Sequence, residues 1–310
     1  MKKYDKLIVK AKQAYDKGDL DLASKYYEEA FKEKIIIADY LMLAYIYVDL
    51  NKYNLAEKIF KNVKMIDDGI EVHFGLANIY ERTGRKKDAI ELYSKVVEEN
   101  DDFDIAHFSL AYLYDEIGEE QEEDINGDNI SKAVIHYEKS LQLNNNNFWA
   151  HINLGSIYER NNIDDKALYH FSKAYEIDKN EKMVCYNLGV VYSKIKQYDK
   201  ALSYYLEELK KENPYPSSYY NIGILYKDGF KDYDKAQYYY LLGLEKNQED
   251  YNIWYNLGCV HALKKDFENA FNCFKYIYYK KKKYLGYLDQ DEELEEFRKT
   301  NYYMMLKNGL

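Results

Sequence analysis

Proline is almost missing from this chain. Of 310 residues only Pro214 and Pro216 are proline, and they mark one joint where the backbone cannot stay helical. Cysteine is scarce as well. Cys185, Cys259 and Cys273 are odd in number and lack metal-ligand spacing, which excludes a disulfide framework and fits a reducing, cytoplasmic setting. Arginine occurs only at Arg82, Arg85, Arg160 and Arg298, in a chain of net charge −10. Such a balance is poorly suited to phosphate backbones, so no nucleic-acid partner is expected. No apolar run is long enough to span a membrane, and the start, Met1-Lys2-Lys3-Tyr4-Asp5-Lys6, leads into alternating polar and apolar residues rather than a secretory leader. Phosphate loops, nucleophile elbows and dinucleotide fingerprints are likewise absent, so no catalytic residue, metal or cofactor is expected.

What is present is a period. Asn153-Leu154-Gly155, Asn187-Leu188-Gly189, Asn221-Ile222-Gly223 and Asn256-Leu257-Gly258 start 34, 34 and 35 residues apart. Three places after each Gly stands Tyr158, Tyr192, Tyr226 or His261. Further on come Ala167, Ala201, Ala236 and Ala270, each followed four residues later by Phe171, Tyr205, Tyr240 or Phe274. Leu, Gly and Tyr at i, i+1 and i+4 share one helix face; Ala and the aromatic at i and i+4 share a face of the next helix. Small residues allow close approach while large ones fill the space between.

In period and residue type this pattern resembles the tetratricopeptide repeat family. The resemblance covers about Tyr4–Tyr284. It implies an all-α, right-handed superhelical solenoid of about eight antiparallel two-helix repeats with a C-terminal capping helix. The repeats fall near 4–36, 37–69, 70–103, 104–147, 148–181, 182–215, 216–250 and 251–284. Repeat four carries ten extra residues within Glu119–Asn129, and repeat seven one extra near Gly229. Residues 285–310 read as polar-faced terminal helices, Asp291–Lys299 and then Tyr302–Lys307, that cover the last apolar face. The usual proline at the repeat end is replaced by Asp101, Asn145 or Asn213, which also stop helices.

With the Leu-Gly pair numbered 7 and 8, positions 4, 7, 8 and 11 of the first helix form its packed face. Positions 2, 6, 9 and 13 point away, flanked by 5 and 12, and in the resembled family that free face lines the groove that receives ligands. Position 6 is Asn153, Asn187, Asn221 and Asn256 in repeats five to eight. A carboxamide offers one acceptor and two donors, which suits the backbone of an extended peptide. The repeat region of O-linked N-acetylglucosamine transferases has a similar asparagine ladder. Around it stand Tyr186, Tyr220 and Tyr255 at position 5, with Trp149 and Met183 at position 2. Arg160 and Lys194 at position 13 favour a ligand with some acidic character; Asp228 opposes it.

The amino-terminal free face is more apolar: Leu41, Met42, Tyr45, Phe74, Asn78, Phe108, Ser109 and Tyr112. Such a stripe takes up a partner's apolar segment, is covered by a second copy of the chain, or is buried by tight winding. Within it Met42, Tyr45, Phe74, Asn78, Phe108 and Tyr112 form a secondary groove. A clamp for a C-terminal carboxylate is disfavoured, because Phe74 stands where a lysine is needed. His73, His107 and His151 share packing position 4, so they are expected in the core rather than on a metal. Asp124-Ile125-Asn126-Gly127-Asp128 lacks the turn glycine and the bidentate Glu of a calcium loop. The run Lys280–Lys283 faces the acidic stretch Asp289–Glu296 in sequence and reads as paired or solvated. The expected function is a non-catalytic interaction module, an adaptor or scaffold with a protein or peptide partner. The alternatives are self-association or assembly into a stable complex through the amino-terminal face, and a regulator sensing a signal peptide.

Overall fold

The computed structural model describes residues 2–280 and 284–308, so residues 281–283 of the lysine run lie outside the described residues. The chain divides into two compact units, Met1–Ile157 and Tyr158–Leu310, and the division falls within one helix, α9 (Phe148–Arg160). The first unit holds α1 (Lys3–Asp16), α2 (Leu20–Ala30), α3 (Ile37–Asp49), α4 (Tyr53–Lys64), α5 (Ile70–Arg82), α6 (Lys86–Glu99), α7 (Asp104–Glu120) and α8 (Asp128–Leu143). In the second, α10 (Asp164–Ile177), α11 (Val184–Lys194), α12 (Tyr198–Glu208), α13 (Ser217–Ile224), α14 (Tyr233–Lys246), α15 (Tyr251–Leu263) and α16 (Phe267–Lys280) are followed by the short α17 (Leu285–Gln290), α18 (Glu295–Arg298) and α19 (Asn301–Lys307). No strand occurs among the described residues.

Consecutive helices pack in pairs, and the turn inside each pair is built the same way. Gly18, Asn51, Gly84 and Glu122 in the first unit, and Asn162, Lys196, Lys231 and Lys265 in the second, have φ between 54° and 78°. One left-handed residue reverses the chain and lets the next amides reach carbonyls of the helix just ended, as Asn51 N–H does to Val48 (2.9 Å) and Lys52 N–H to Tyr47 (2.7 Å).

The Leu-Gly and Ala-aromatic pairs meet as their spacing predicts. A Cβ on Gly223 would lie 2.2 Å from Tyr240 Cε1, and one on Gly189 would lie 2.5 Å from Tyr205 Cε1. Ala201 and Ala236 are fully buried beside these rings. Glycine is therefore required here for close approach, not for backbone freedom.

Both insertions have a definite form. In repeat four, α7 runs on to Glu120, and the Glu123 carboxylate accepts from Asn129 N–H (2.8 Å) and Ile130 N–H (3.2 Å) at the start of α8. In repeat seven the extra residue is absorbed by a π-turn, Leu225–Gly229, continuous with α13. At the joint carrying Pro214 and Pro216, the fully buried Glu208 accepts from Tyr215 N–H (3.1 Å) and pairs with Lys211 (2.7 Å). The terminal segment has an additional helix, α17, ahead of a 3-10 turn, Glu292–Leu294. Leu288, Leu294, Phe297 and Leu306 from this segment join Phe271, Phe274 and Ile277 of α16 in one buried cluster.

Candidate peptide-binding face

The asparagine side chains at position 6 are half-buried, and three of the four already donate to a partner. In the first unit, Asn153 Nδ2 donates to Tyr137 Oη (2.9 Å), which α8 brings from the preceding repeat. In the second unit, Asn221 Nδ2 donates to Tyr205 Oη of α12 (3.2 Å). Both partners stand 16 residues upstream of the asparagine. Sixteen residues before Asn187 the chain has Phe171, which carries no hydroxyl, and Asn187 Nδ2 is buried with no hydrogen-bond partner among the described residues. Asn256 departs from the pattern: its Nδ2 donates to Tyr220 Oη (3.3 Å) and to the Asn252 carbonyl (3.0 Å), while Tyr240 Oη, 16 residues upstream, is left unpartnered among the described residues. A uniform row of unengaged amides is thus not what these residues form. The first amide belongs to one unit and the other three to the second.

Position 5 is a packing position more than a groove wall. Tyr186 contacts Tyr205 and Tyr215, Tyr220 contacts Tyr240, and Tyr255 contacts Phe274, with ring centroids 4.5–6.2 Å apart. These aromatics interlock with rings from second helices and, at Tyr215, from the joint that follows one, in the tilted geometry usual for aromatic pairs. Trp149 stays 52% exposed. Met183 is exposed too, but it precedes α11 with φ 71°, so repeat six begins its helix later than its period implies.

The amino-terminal stripe is largely covered within the first unit. Leu41 and Ser109 are buried, and Met42, Tyr45, Phe74 and Phe108 are half-buried. Tyr45 packs on Phe60, Phe74 on Tyr93 and Phe103, and Phe108 on Tyr137. Asn78 accepts from Arg82 Nε (2.9 Å). Only Tyr112 remains exposed among these, with its hydroxyl on Glu116 (3.0 Å). Viewed on a single helix, these residues look free; rings from neighbouring helices cover them.

The cations at position 13 do not add up to an acidic-ligand site either, because Lys194 is paired with Glu159 (3.1 Å) and Asp164 (3.4 Å). His73, His107 and His151 are buried. His107 Nδ1 lies 2.9 Å from His136 Nδ1. Burial, with His107 beside it, lowers the His136 pKa from 6.5 to about 4.

Sequence reasoning missed one cluster altogether. Cys259 Sγ and carboxylate oxygens of Asp291 and Glu293 lie within 4.8 Å of one another. Lys227, 6% exposed on the π-turn, sets its ammonium 2.6 Å from Glu293 and 3.0 Å from Asp228. Burial works against that charge, but the two carboxylates outweigh it and hold the Lys227 pKa above its ordinary range. Burial, reinforced by Asp291, pushes the Cys259 thiol well up. The cation of this cluster is thus a lysine, and the sulfur stays a thiol. The acidic residues lie outside the period, 32 to 66 positions from their partners, where spacing gives no signal.

Profiles of the tetratricopeptide repeat match residues 40–68, 70–103, 184–214 and 251–275. Among solved structures, the chain is similar to a tetratricopeptide repeat protein from Parabacteroides merdae, at 17% identity and TM-score 0.55 over 82% of this chain and 97% of that one. It is similar also to pilF of Pseudomonas aeruginosa, at 19% identity and TM-score 0.56 over 70% and 94%. A MamA structure aligns at 22% identity and TM-score 0.51 over 58% and 92%. At such identities the likeness is one of fold alone. No curated protein sequence matches the chain. No described helix is long and apolar enough to cross a membrane. The described residues are thus all-α, and tetratricopeptide repeats are recognised in four stretches of the chain.

Proposed function

We propose that this chain is a non-catalytic adaptor whose repeats bind extended peptide segments of protein partners. The repeats and their structural likenesses support a protein–protein interaction role. The peptide-binding reading rests on Asn187. A buried donor without an acceptor costs about 1–3 kcal/mol, and such a group calls for a reason. A peptide carbonyl supplies the missing acceptor. Asn153 and Asn221 hold their amides against a tyrosine hydroxyl and keep their carbonyl oxygens for a peptide N–H. This arrangement suits main chain, as in the asparagine ladder of O-linked N-acetylglucosamine transferases. With each hydrogen bond contributing roughly 0.5–1.5 kcal/mol and peptide ordering opposing it, micromolar affinity, about −8 kcal/mol, is expected.

The test selects peptides from a random display library on the full chain and measures their affinity for Asn187→Ala and Asn221→Ala. Weakened binding with an intact fold supports the reading. Unchanged binding together with lowered stability makes these residues structural and ends it.

A further inference from the structure

Within the second unit, the end of the chain lies across the free face of the last repeats. Positions 9 and 12 are half-buried in repeat six (Val190 and Ser193). In repeat eight, Cys259 at position 9 is 1% exposed and Ala262 at position 12 is buried; in repeat seven, Lys227 at position 12 is buried as well. What covers Cys259 and Ala262 is the terminal segment, whose Leu288, Leu294 and Phe297 share their cluster. Polar contacts fix its register. Tyr255 Oη donates to Asp291 Oδ2 (2.8 Å), Cys259 Sγ lies 3.8 Å from the same oxygen, and Lys227 Nζ donates to Glu293 Oε2 (2.6 Å). Leu294 and Phe297 are fully buried just beyond, with Phe297 packed on Phe274 at 5.3 Å.

Two features set this apart from an ordinary cap. First, the acceptor groove supplies a buried cation for it. Lys227 reaches Glu293 from the π-turn, so the single inserted residue of repeat seven lies in the segment that carries the charge. An ammonium held out of water needs carboxylate partners, because an unpaired buried charge is strongly destabilising; Asp228 on the same turn supplies one at 3.0 Å and Glu293 of the covering segment the nearer one at 2.6 Å. Second, the covering segment is made of helices of six, four and seven residues and one 3-10 turn. Pieces this short have little helical stability of their own and depend on what they pack against.

We propose that Lys227, Tyr255 and Cys259 form a recognition site for a partner's acidic peptide of the pattern Asp-x-Glu-Leu-x-x-Phe, and that Asp291–Phe297 of this chain occupies it as an intramolecular competitor. The inference rests on the peptide-binding function proposed above and names the chemistry of one stretch of that face. The ligand must match both parts of the contact. Two carboxylates two residues apart satisfy Tyr255 and Lys227, and the leucine and aromatic replace Leu294 and Phe297, whose exposure to water is otherwise unfavourable. A tethered competitor acts at an effective concentration in the millimolar range. An incoming segment therefore binds weakly until the tail is loosened, and its arrival displaces Asp291–Phe297.

The experiment uses the full chain and, as probe, a fluorescein-labelled synthetic peptide of residues 289–299, followed by anisotropy. The wild type is expected to bind it poorly. Asp291→Asn with Glu293→Gln, made together, loosens the tail and is expected to raise affinity for the probe at least tenfold; adding Lys227→Met removes that gain. In parallel, thiol labelling mapped by mass spectrometry should show Cys259 reacting in the double variant and protected again by the probe. Should the double variant unfold by circular dichroism, the exchange Lys227→Glu with Glu293→Lys decides the matter: either single change exposes Cys259, and the pair together re-protects it. Equal probe binding by wild type and double variant, binding indifferent to Lys227→Met, or concentration-dependent dimers without probe uptake overturns the proposal. Library peptides that need Asn187 but ignore Lys227 would overturn it too, while leaving the broader peptide-binding reading standing.

Discussion

Changing Phe171 to Tyr should stabilise this protein and weaken its hold on peptide. Tyr137 and Tyr205 occupy the equivalent place for Asn153 and Asn221, are 0% and 1% exposed, and donate no more bulk than one hydroxyl beyond a phenyl ring. Phe171 is equally buried and stands at the same 16-residue spacing from Asn187, whose Nδ2 is buried without a partner among the described residues, so a hydroxyl on that ring is expected to reach it. A net hydrogen bond is worth roughly 0.5–1.5 kcal/mol, and relieving an unsatisfied buried donor sits at the upper end. An increase of about 1 kcal/mol corresponds to a Tm gain of about 2–4 °C for a cooperative unit of this size. The same bond consumes the donor proposed for a peptide carbonyl, so affinity for a library-selected peptide should fall about 2- to 10-fold. Thermal melts followed by circular dichroism and a peptide titration read the two effects separately. A lowered or unchanged Tm refutes the premise that Asn187 lacks a partner. A raised Tm with unchanged affinity refutes its role in binding.

Other perturbations test the packing and the charges. Gly189→Ala gains up to about 1 kcal/mol of helix propensity but drives a methyl into the Tyr205 ring, an overpacking cost of about 1–3 kcal/mol; a net loss in urea midpoint is expected. Lys196 sits at φ 60°, a conformation costing a non-glycine residue roughly 1–2 kcal/mol. Lys196→Gly should therefore raise stability by about 0.5–1 kcal/mol after the entropy glycine adds to the unfolded chain. His136 takes up its proton at 6.5 when unfolded but only at about 4 when folded, because it is buried and faces His107. The unfolded state then binds more protons across that window, so stability falls as pH drops from 6.5 toward 4. The loss is at most about 3 kcal/mol, less for a ring that is partly exposed. His136→Gln should flatten that part of the wild-type pH–stability profile; an unchanged slope refutes the assignment.

The repeat was legible because its signal is local. Leu-Gly and Ala-aromatic pairs act within one helical turn or across one hairpin, so a 34-residue spacing carries the contact between Gly223 and Tyr240 directly. The extra residue of repeat seven was visible by counting, but its π-turn was not, because the insertion could equally have lengthened a loop. The apolar amino-terminal stripe left three readings open in the sequence because a helical wheel treats each helix alone. Position 5 faces the ring of a second helix, as Phe74 faces Tyr93. The signal for the asparagine pairing stood in the sequence unused: tyrosine 16 residues before Asn153 and Asn221, phenylalanine before Asn187. The terminal cluster had no such signal. Asp291 and Glu293 look like any solvated acidic run until Tyr255 and Lys227 are brought beside them.

The most direct measurement is the side-chain amide resonance of Asn187 in a nitrogen-labelled sample titrated with a library-selected peptide. If the proposed function is right, its two NH2 signals shift downfield as a new acceptor arrives and saturate in step with binding. Signals that stay fixed while the peptide saturates the protein would contradict it.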